Sequence, residues 1–276
     1  MDCIRMPSEE AVYTVEPGKL VIFNQLAVKV EMDNVTNEQY YQWLDEMKDC
    51  IDGLVHGAKI VEKENARVTP PLNTAIYYDT EDYKILNTGA LLRTSCNKIT
   101  HAFCAFKEAS DSHSVRRDHR YVFAGDEKKT IQNGPDSIEA VSIVKSLLKR
   151  KDIDQPGLHL EQKLGIRGTD LIPSIRLDDY RFTFFVWLDK KDALRCSIDR
   201  AHVSNLRLPE DKRKSCPVSE VELAIYPRIS PEVAKDPRVV KLIEVLSQSL
   251  GNRFGVSITK KIKYQRAAQV LGIFDN

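Results

Sequence analysis

The stretch Val218-Ser-Glu-Val-Glu-Leu-Ala-Ile-Tyr226 alternates. Val221, Leu223 and Ile225 fall on one side, and Glu220, Glu222, Ala224 and Tyr226 on the other. A period of two predicts a β-strand with one buried face. Glu220 and Glu222 then point the same way. On a wet face they are ordinary solvated acids. On a face that lines a closed barrel they are paired carboxylates that need a cation beside them.

Similar short runs recur along the chain. Strands are predicted over 19–33, 58–68, 75–79, 91–95, 101–107, 117–123, 158–166, 173–178, 181–188, 194–203, 218–226 and 257–264. Asp178-Asp179 reads as a tight turn, and 80–87 as a turn or short helix closed by Gly89. Three longer helices interrupt the strands. Thr36 with Gln39 forms a capping box ahead of the apolar stripe Tyr40, Trp43, Leu44, Met47, Ile51 and Leu54. Asp136 or Ser137 caps the second, where Lys149-Arg150-Lys151 complement the helix dipole. The third spans about 236–250. Strands joined mainly by short turns imply an antiparallel sheet, and so many of them normally curl or close. The expected architecture is β-dominated α+β: a closed barrel or tunnel with helices packed outside. Residues 1–18 read as a loosely ordered lead-in and 19–276 as one domain.

Composition sets limits on partners. With 41 Lys+Arg against 40 Asp+Glu, the net charge of +1 gives no global attraction to a long nucleic-acid duplex or an anionic membrane. The 6 cysteines include no C-x-x-C pair, which argues against a zinc site and for reduced thiols in a cytoplasmic setting. The apolar run 182–188 is too short to span a bilayer, so no membrane anchor is expected. There is no P-loop and no dinucleotide fingerprint. The histidines lack metal-ligand spacing, and His113 and His119 read as surface residues.

Charge segregates locally instead. Lys29, Lys59, Lys63, Arg93, Lys107, Arg117, Arg176, Arg181, Arg195 and Lys263 sit on strand-like runs. Acids cluster early (Glu31, Asp33) and late (Glu220, Glu222). Gathered inside a barrel, these would make a basic cavity with an acidic patch. Such a cavity suits a polyanion together with a divalent metal. On outer faces they would simply be solvated.

Tyr77-Tyr-Asp-Thr80-x-Asp82 followed by Gly89-Ala-Leu-Leu-Arg93 resembles the Y-[YF]-D-T … G-x-x-L-R signature of the CYTH superfamily, the triphosphate tunnel metalloenzymes. Lys107 resembles that family's next lumen lysine, Arg176 and Arg181 its central arginines, and Glu220-x-Glu222 its late metal-binding acids. Lys263-Tyr-Gln-Arg266 is similar to the closing S-K-[YF]-x-R of the vacuolar transporter chaperone branch, the polyphosphate polymerases. Where many members open with E-x-E-x-K, this chain has Lys29-Val-Glu31-Met-Asp33.

The resemblance implies an eight-stranded antiparallel tunnel that takes a triphosphate chain end-on. It implies Mg²⁺ or Mn²⁺ held by Glu31, Glu220 and Glu222. Arg93, Lys107 and Arg181 would be catalytic, and Lys29, Lys63, Arg117, Arg176, Arg195 and Lys263 would join them in binding the phosphates. The implied activity is metal-dependent hydrolysis of inorganic triphosphate, a nucleoside or thiamine triphosphate, an RNA 5′-triphosphate end or polyphosphate. A polyphosphate polymerase, an adenylate cyclase and a non-catalytic polyphosphate or inositol-phosphate binding module are the alternatives.

Overall fold

The computed structural model describes residues 18–109, 115–226 and 230–273. Residues 1–17 of the expected lead-in, and Ser110, Asp111, Ser112 and His113 of the polar loop, lie outside them. The strands are β1 (Leu20–Glu31), β2 (Ala58–Glu62), β3 (Leu72–Asp79), β4 (Leu91–Asn97), β5 (Ala102–Lys107), β6 (Val115–Val122), β7 (Ile172–Leu188), β8 (Lys191–Asn205), β9 (Cys216–Ile225) and β10 (Ile258–Thr259). The helices are α1 (Asn37–Leu54), α2 (Lys84–Thr88), α3 (Gly125–Asn133), α4 (Ile138–Lys149), α5 (Pro156–Leu164), α6 (Pro231–Ala234), α7 (Pro237–Phe254) and α8 (Lys263–Val270). Among the described residues no helix is long and apolar enough to cross a membrane.

All strand pairs are antiparallel and form a 10-stranded sheet in the order β10-β1-β6-β5-β4-β3-β7-β8-β9, with β2 added on β7. The expected eight-stranded closed barrel is corrected on this point. β1 pairs with β6 through residues 20–26 and with β9 through 27–31. No stretch of β1 pairs with both β6 and β9; at Lys29 and Val30 the second edge is taken by β10, and β2 and β10 extend the count.

Three further expectations change. Residues 158–166 form helix α5, not a strand. Pro156 opens it, the Gln155 side chain accepts from the Gly157 N–H, and Gly165 at φ 68 closes it. The supposed turn at Asp178-Asp179 is the middle of one 17-residue strand, β7. Residues 257–264 split into two-residue β10 and the start of α8. The Thr36–Gln39 capping box and the Ser137 cap appear as expected.

Period-two alternation sorts the core into three layers. On one sheet face Val30, Phe184, Val186, Ile198, Val221 and Leu223 pack under α1 and α7. Ile76, Tyr78, Leu92, Cys104 and Phe106 pack under α3, α4 and α5. The opposite, inner face carries Ala75, Tyr77, Leu91, Ile175, Leu177, Val203 and Val218, covered by Ile262, Tyr264, Ala267 and Ala268 of α8 and the residue before it. Tyr264 stacks on Tyr77 with ring centroids 4.4 Å apart, and its hydroxyl donates to Asp79 at 2.9 Å. Asp79 also accepts from the N–H groups of Ile85 and Leu86, so one buried carboxylate ties α8 to the start of α2. His119, expected on the surface, is buried, stacked 4.1 Å from His159 and bonded to Glu108.

Candidate functional site

Beyond the apolar patch under α8, the inner face turns polar. The register sets which side chains meet. Lys29 lies opposite Glu222, and Glu31 opposite Glu220, across β1 and β9. Glu220 lies opposite Asp199 on β8, which lies opposite Arg181 on β7. On the other wall Lys107 of β5 lies opposite Asp118 of β6, and Ala105 between Arg93 of β4 and Arg120 of β6.

These residues form two linked charge groups. In the first, Lys29 Nζ is 2.6 Å from Glu220 and 3.3 Å from Glu222. Arg181 grips Asp199 with two bonds of 2.7 Å and reaches Asp179 at 3.4 Å. Lys263 contacts Asp199 and lies 3.3 Å from Asp179 and 3.6 Å from Glu220. Arg266 is 3.3 Å from Glu220 and 2.7 Å from Asp33. Burial raises the pKa of every buried acid, but Lys29, Arg181 and Lys107 more than reverse this at Glu222 and hold it well below the usual carboxylate range. Burial lowers Lys263, but Asp179, Asp199 and Glu220 override it and hold the ammonium charged.

The second group is cationic. Asp118 is buried and meets Lys107 at 3.2 Å and Arg120 at 2.8 Å. Arg120 also lies over the Phe103 ring, 4.2 Å from its centroid. Arg93 forms no ion pair among the described residues, and its buried Nε has no hydrogen-bond partner. Burial pushes the Lys107 ammonium down to about 8; Asp118 opposes this, and the charges of Arg93 and Arg120 add to it. Burial and the nearby Arg120, Arg181 and Arg93 push His101 down to about 3, so its ring is neutral at pH 7.

No protein-family model and no curated protein matches the chain by sequence. Solved structures do match by shape. One, from Bacillus halodurans and provisionally described as an adenylate cyclase, superimposes with a TM-score of 0.51 at 12% identity, over 89% of this chain and 97% of that one. Another, HpAC1 from Hippeastrum, superimposes with a TM-score of 0.50 at 13% identity, over 90% of this chain and 96% of that one. HpAC1 is described as an adenylyl cyclase candidate with a dominant triphosphatase activity. The chain shares the fold of these CYTH-type structures. At these identities the likeness concerns the fold alone, and it shows nothing of the chaperone branch.

On this fold Arg93, Lys107, Arg181, Lys29, Glu220 and Glu222 come together on the inner face. Arg195 shares that face on β8, opposite Ala224. Lys263 does too, from α8 and not from a strand, with its charge committed to carboxylates. The other predicted residues go elsewhere. Arg176 is five residues from Arg181, so an uninterrupted strand puts the two on opposite faces, and Arg176 pairs outside with Asp136 and Asp178 at 2.8 Å each. Arg117 is exposed, one residue out of phase with inward Asp118. Lys63 follows β2, outside the ring of inward residues. Glu31 is 45% exposed and sits 3.6 Å from Arg266.

The expected metal set does not converge either. Among the described residues no group of three or more His, Cys, Asp or Glu side chains is placed to hold a metal ion. Glu220 and Glu222 already bind ammonium and guanidinium groups, so the donors present do not fit a divalent cation. The sequence reading gave no site role to Asp118, Arg120, Asp179, Asp199 or Arg266, the last named only within the Lys263–Arg266 motif. Alternation along β6 and β8 was the available signal for the strand residues, once a strand is known to run unbroken.

Proposed function

We propose that the inner face binds the triphosphate part of a small molecule or chain end and hydrolyses its terminal phosphoanhydride, within one tunnel-like domain over residues 19–276. One observation carries this reading: Arg93, half-buried on the same inner face as Lys107 and Arg120, forms no ion pair among the described residues and leaves its buried Nε without a hydrogen-bond partner. A buried donor left unsatisfied is stabilised by an anion, and a guanidinium matches phosphate oxygens. The triphosphatase activity described for HpAC1, which shares the fold, supports the class of chemistry.

In this reading Arg93, Lys107, Arg120 and Arg181 contact the non-bridging oxygens. They neutralise charge that builds on the transferring phosphoryl group. Water attacks the terminal phosphorus, the bridging P–O bond breaks, and orthophosphate and a proton leave. A loose transition state asks for positioning more than for a strong base, and Glu222 at the edge of the cationic wall is placed to orient that water.

A second reading, a binding module without turnover, is favoured by one feature: Lys29 occupies Glu220 and Glu222. Phosphate release from tripolyphosphate, ATP and an RNA 5′-triphosphate, each with Mg²⁺, Mn²⁺ or EDTA, separates the two. Turnover of one substrate, lost in Arg93→Ala with the fold intact by circular dichroism, supports the hydrolase. Binding of tripolyphosphate without release by the wild type supports the module. Absence of both would refute the phosphate reading.

A further inference from the structure

Two carboxylates two residues apart on one strand face would suit a divalent cation, and the space between Glu220 and Glu222 is filled. Lys29 Nζ lies 2.6 Å from one and 3.3 Å from the other. Cross-strand pairing fixes this placement, because Lys29 sits directly opposite Glu222 in the ladder. Glu220 is fully buried and has Arg266 at 3.3 Å and Lys263 at 3.6 Å as well. The rung on one side offers no ligand, since Ala27 faces Ala224, and on the other Glu31, opposite Glu220, is 45% exposed and lies 3.6 Å from Arg266. The next acid along the face, Asp199, is held by both arms of Arg181. A divalent ion entering here would have to displace an ammonium and settle a few ångströms from two more cations, with repulsion on every side.

Resting on the phosphate reading above, we infer that the Lys29 ammonium fills the role of a divalent cation, and that this chain takes its triphosphate ligand without a metal. Glu220 and Glu222 then act as positioning residues: they hold Lys29 against the inner face. The ligand class is a fully ionised tripolyphosphate group. A metal-chelated triphosphate brings its own positive charge to a wall of Arg93, Lys107 and Arg120 and is the poorer match.

Two measurements on the full chain test this. Mn²⁺ uptake is followed by the loss of the free-ion electron paramagnetic resonance signal, for the wild type and for Lys29→Gln. Tripolyphosphate binding is followed by calorimetry in EDTA and again with excess Mg²⁺. The wild type is expected to leave the Mn²⁺ signal unchanged at millimolar ion. Lys29→Gln, which removes the ammonium shared by the two carboxylates, should bind Mn²⁺ at least about tenfold more tightly. Tripolyphosphate should bind in EDTA and more weakly once Mg²⁺ chelates it. Stoichiometric Mn²⁺ uptake by the wild type, or tripolyphosphate binding that appears only with metal, would overturn the inference. The wild-type measurements decide it even if Lys29→Gln does not fold. Failure of tripolyphosphate to bind under any condition overturns the phosphate reading instead, and with it the ligand named here.

Discussion

Replacing Lys263 by Met removes an ammonium that is 5% exposed and surrounded by three carboxylates, Asp199, Asp179 and Glu220. Removing one partner from a buried ion pair costs about 3–5 kcal/mol. Here Asp199 keeps Arg181, and Glu220 keeps Lys29 and Arg266, so the low end, about 3 kcal/mol, is expected. In urea unfolding, with a slope near 3 kcal/mol/M for a chain of this size, the midpoint should fall by about 1 M. The deficit should depend on pH. Asp179 is already raised by burial and by the charge of Asp199, and without Lys263 its folded pKa moves further above the unfolded one. Groups shifted that way contribute stability below the unfolded pKa and lose it as pH rises through the folded pKa. The deficit is therefore largest near pH 8 and shrinks toward pH 5. Each carboxylate that protonates recovers about 1.4 kcal/mol per pH unit. A loss below about 1 kcal/mol at pH 8, or one that does not change with pH, would show that the ammonium does not balance these acids.

Lys107, with its pKa pushed down to about 8 by burial, must be charged to hold phosphate. Tripolyphosphate affinity should fall as pH rises through 8, with proton uptake on binding seen by calorimetry in buffers of different ionisation enthalpy, and Lys107→Arg should remove the decline. Its contribution to stability runs the other way: the folded pKa lies below the unfolded value of 10.5, so the unliganded protein gains stability as pH rises from about 8 toward 10.5. Tyr264→Phe keeps the stack on Tyr77 but removes the hydroxyl that meets Asp79 and Ser174, each at 2.9 Å, and thermal melting should report a loss of about 1–3 kcal/mol. Gly57 and Gly255 both hold positive φ, 81° and 66°, yet a Cβ on Gly57 would sit 2.1 Å from Asp189 Oδ1 while Gly255 has nothing within 4 Å. Gly255→Ala should cost the left-handed penalty of about 1–2 kcal/mol, and Gly57→Ala that penalty plus a small term for swinging the exposed Asp189 side chain out of its pair with Arg238, in the same denaturation assay.

What could be read from the sequence was what is locally encoded. The box at Thr36 and Gln39 announces α1 because its donors and acceptors lie within one turn. Glu220 and Glu222 could be placed on one face because β9 alternates over its own length. The errors arise where one long-range fact decides. Leu158 to Ile166 alternates well enough for a strand, but Pro156 and Gly165 are helix punctuation that outweighs it. Asp178-Asp179 looks like a turn in isolation. Continuous pairing of β7 with both β3 and β8 overrides that, and the parity of Arg176 and Arg181 changes with it. The partner of Glu220 and Glu222 could not be deduced, because whether Lys29 or a metal stands between them depends on which edge of β1 meets β9.

The spacing of these ion pairs bears on how the chain matures. Lys29 and Glu220 are 191 residues apart, and Asp33 and Arg266 are 233 apart. Such distant partners give a high contact order and slow closure. Until β9 and α8 emerge, the stretch 27–31 of β1 has an open edge toward β9, and Lys29 has no carboxylate from that strand. A nascent or truncated chain can complete the outer layer under α3, α4 and α5, which draws on residues 20–206, while its charged face is still unbalanced. The charged inner face is thus the last part of the molecule to become native, and quality control that senses an open strand edge would act on the same event that brings its charges together.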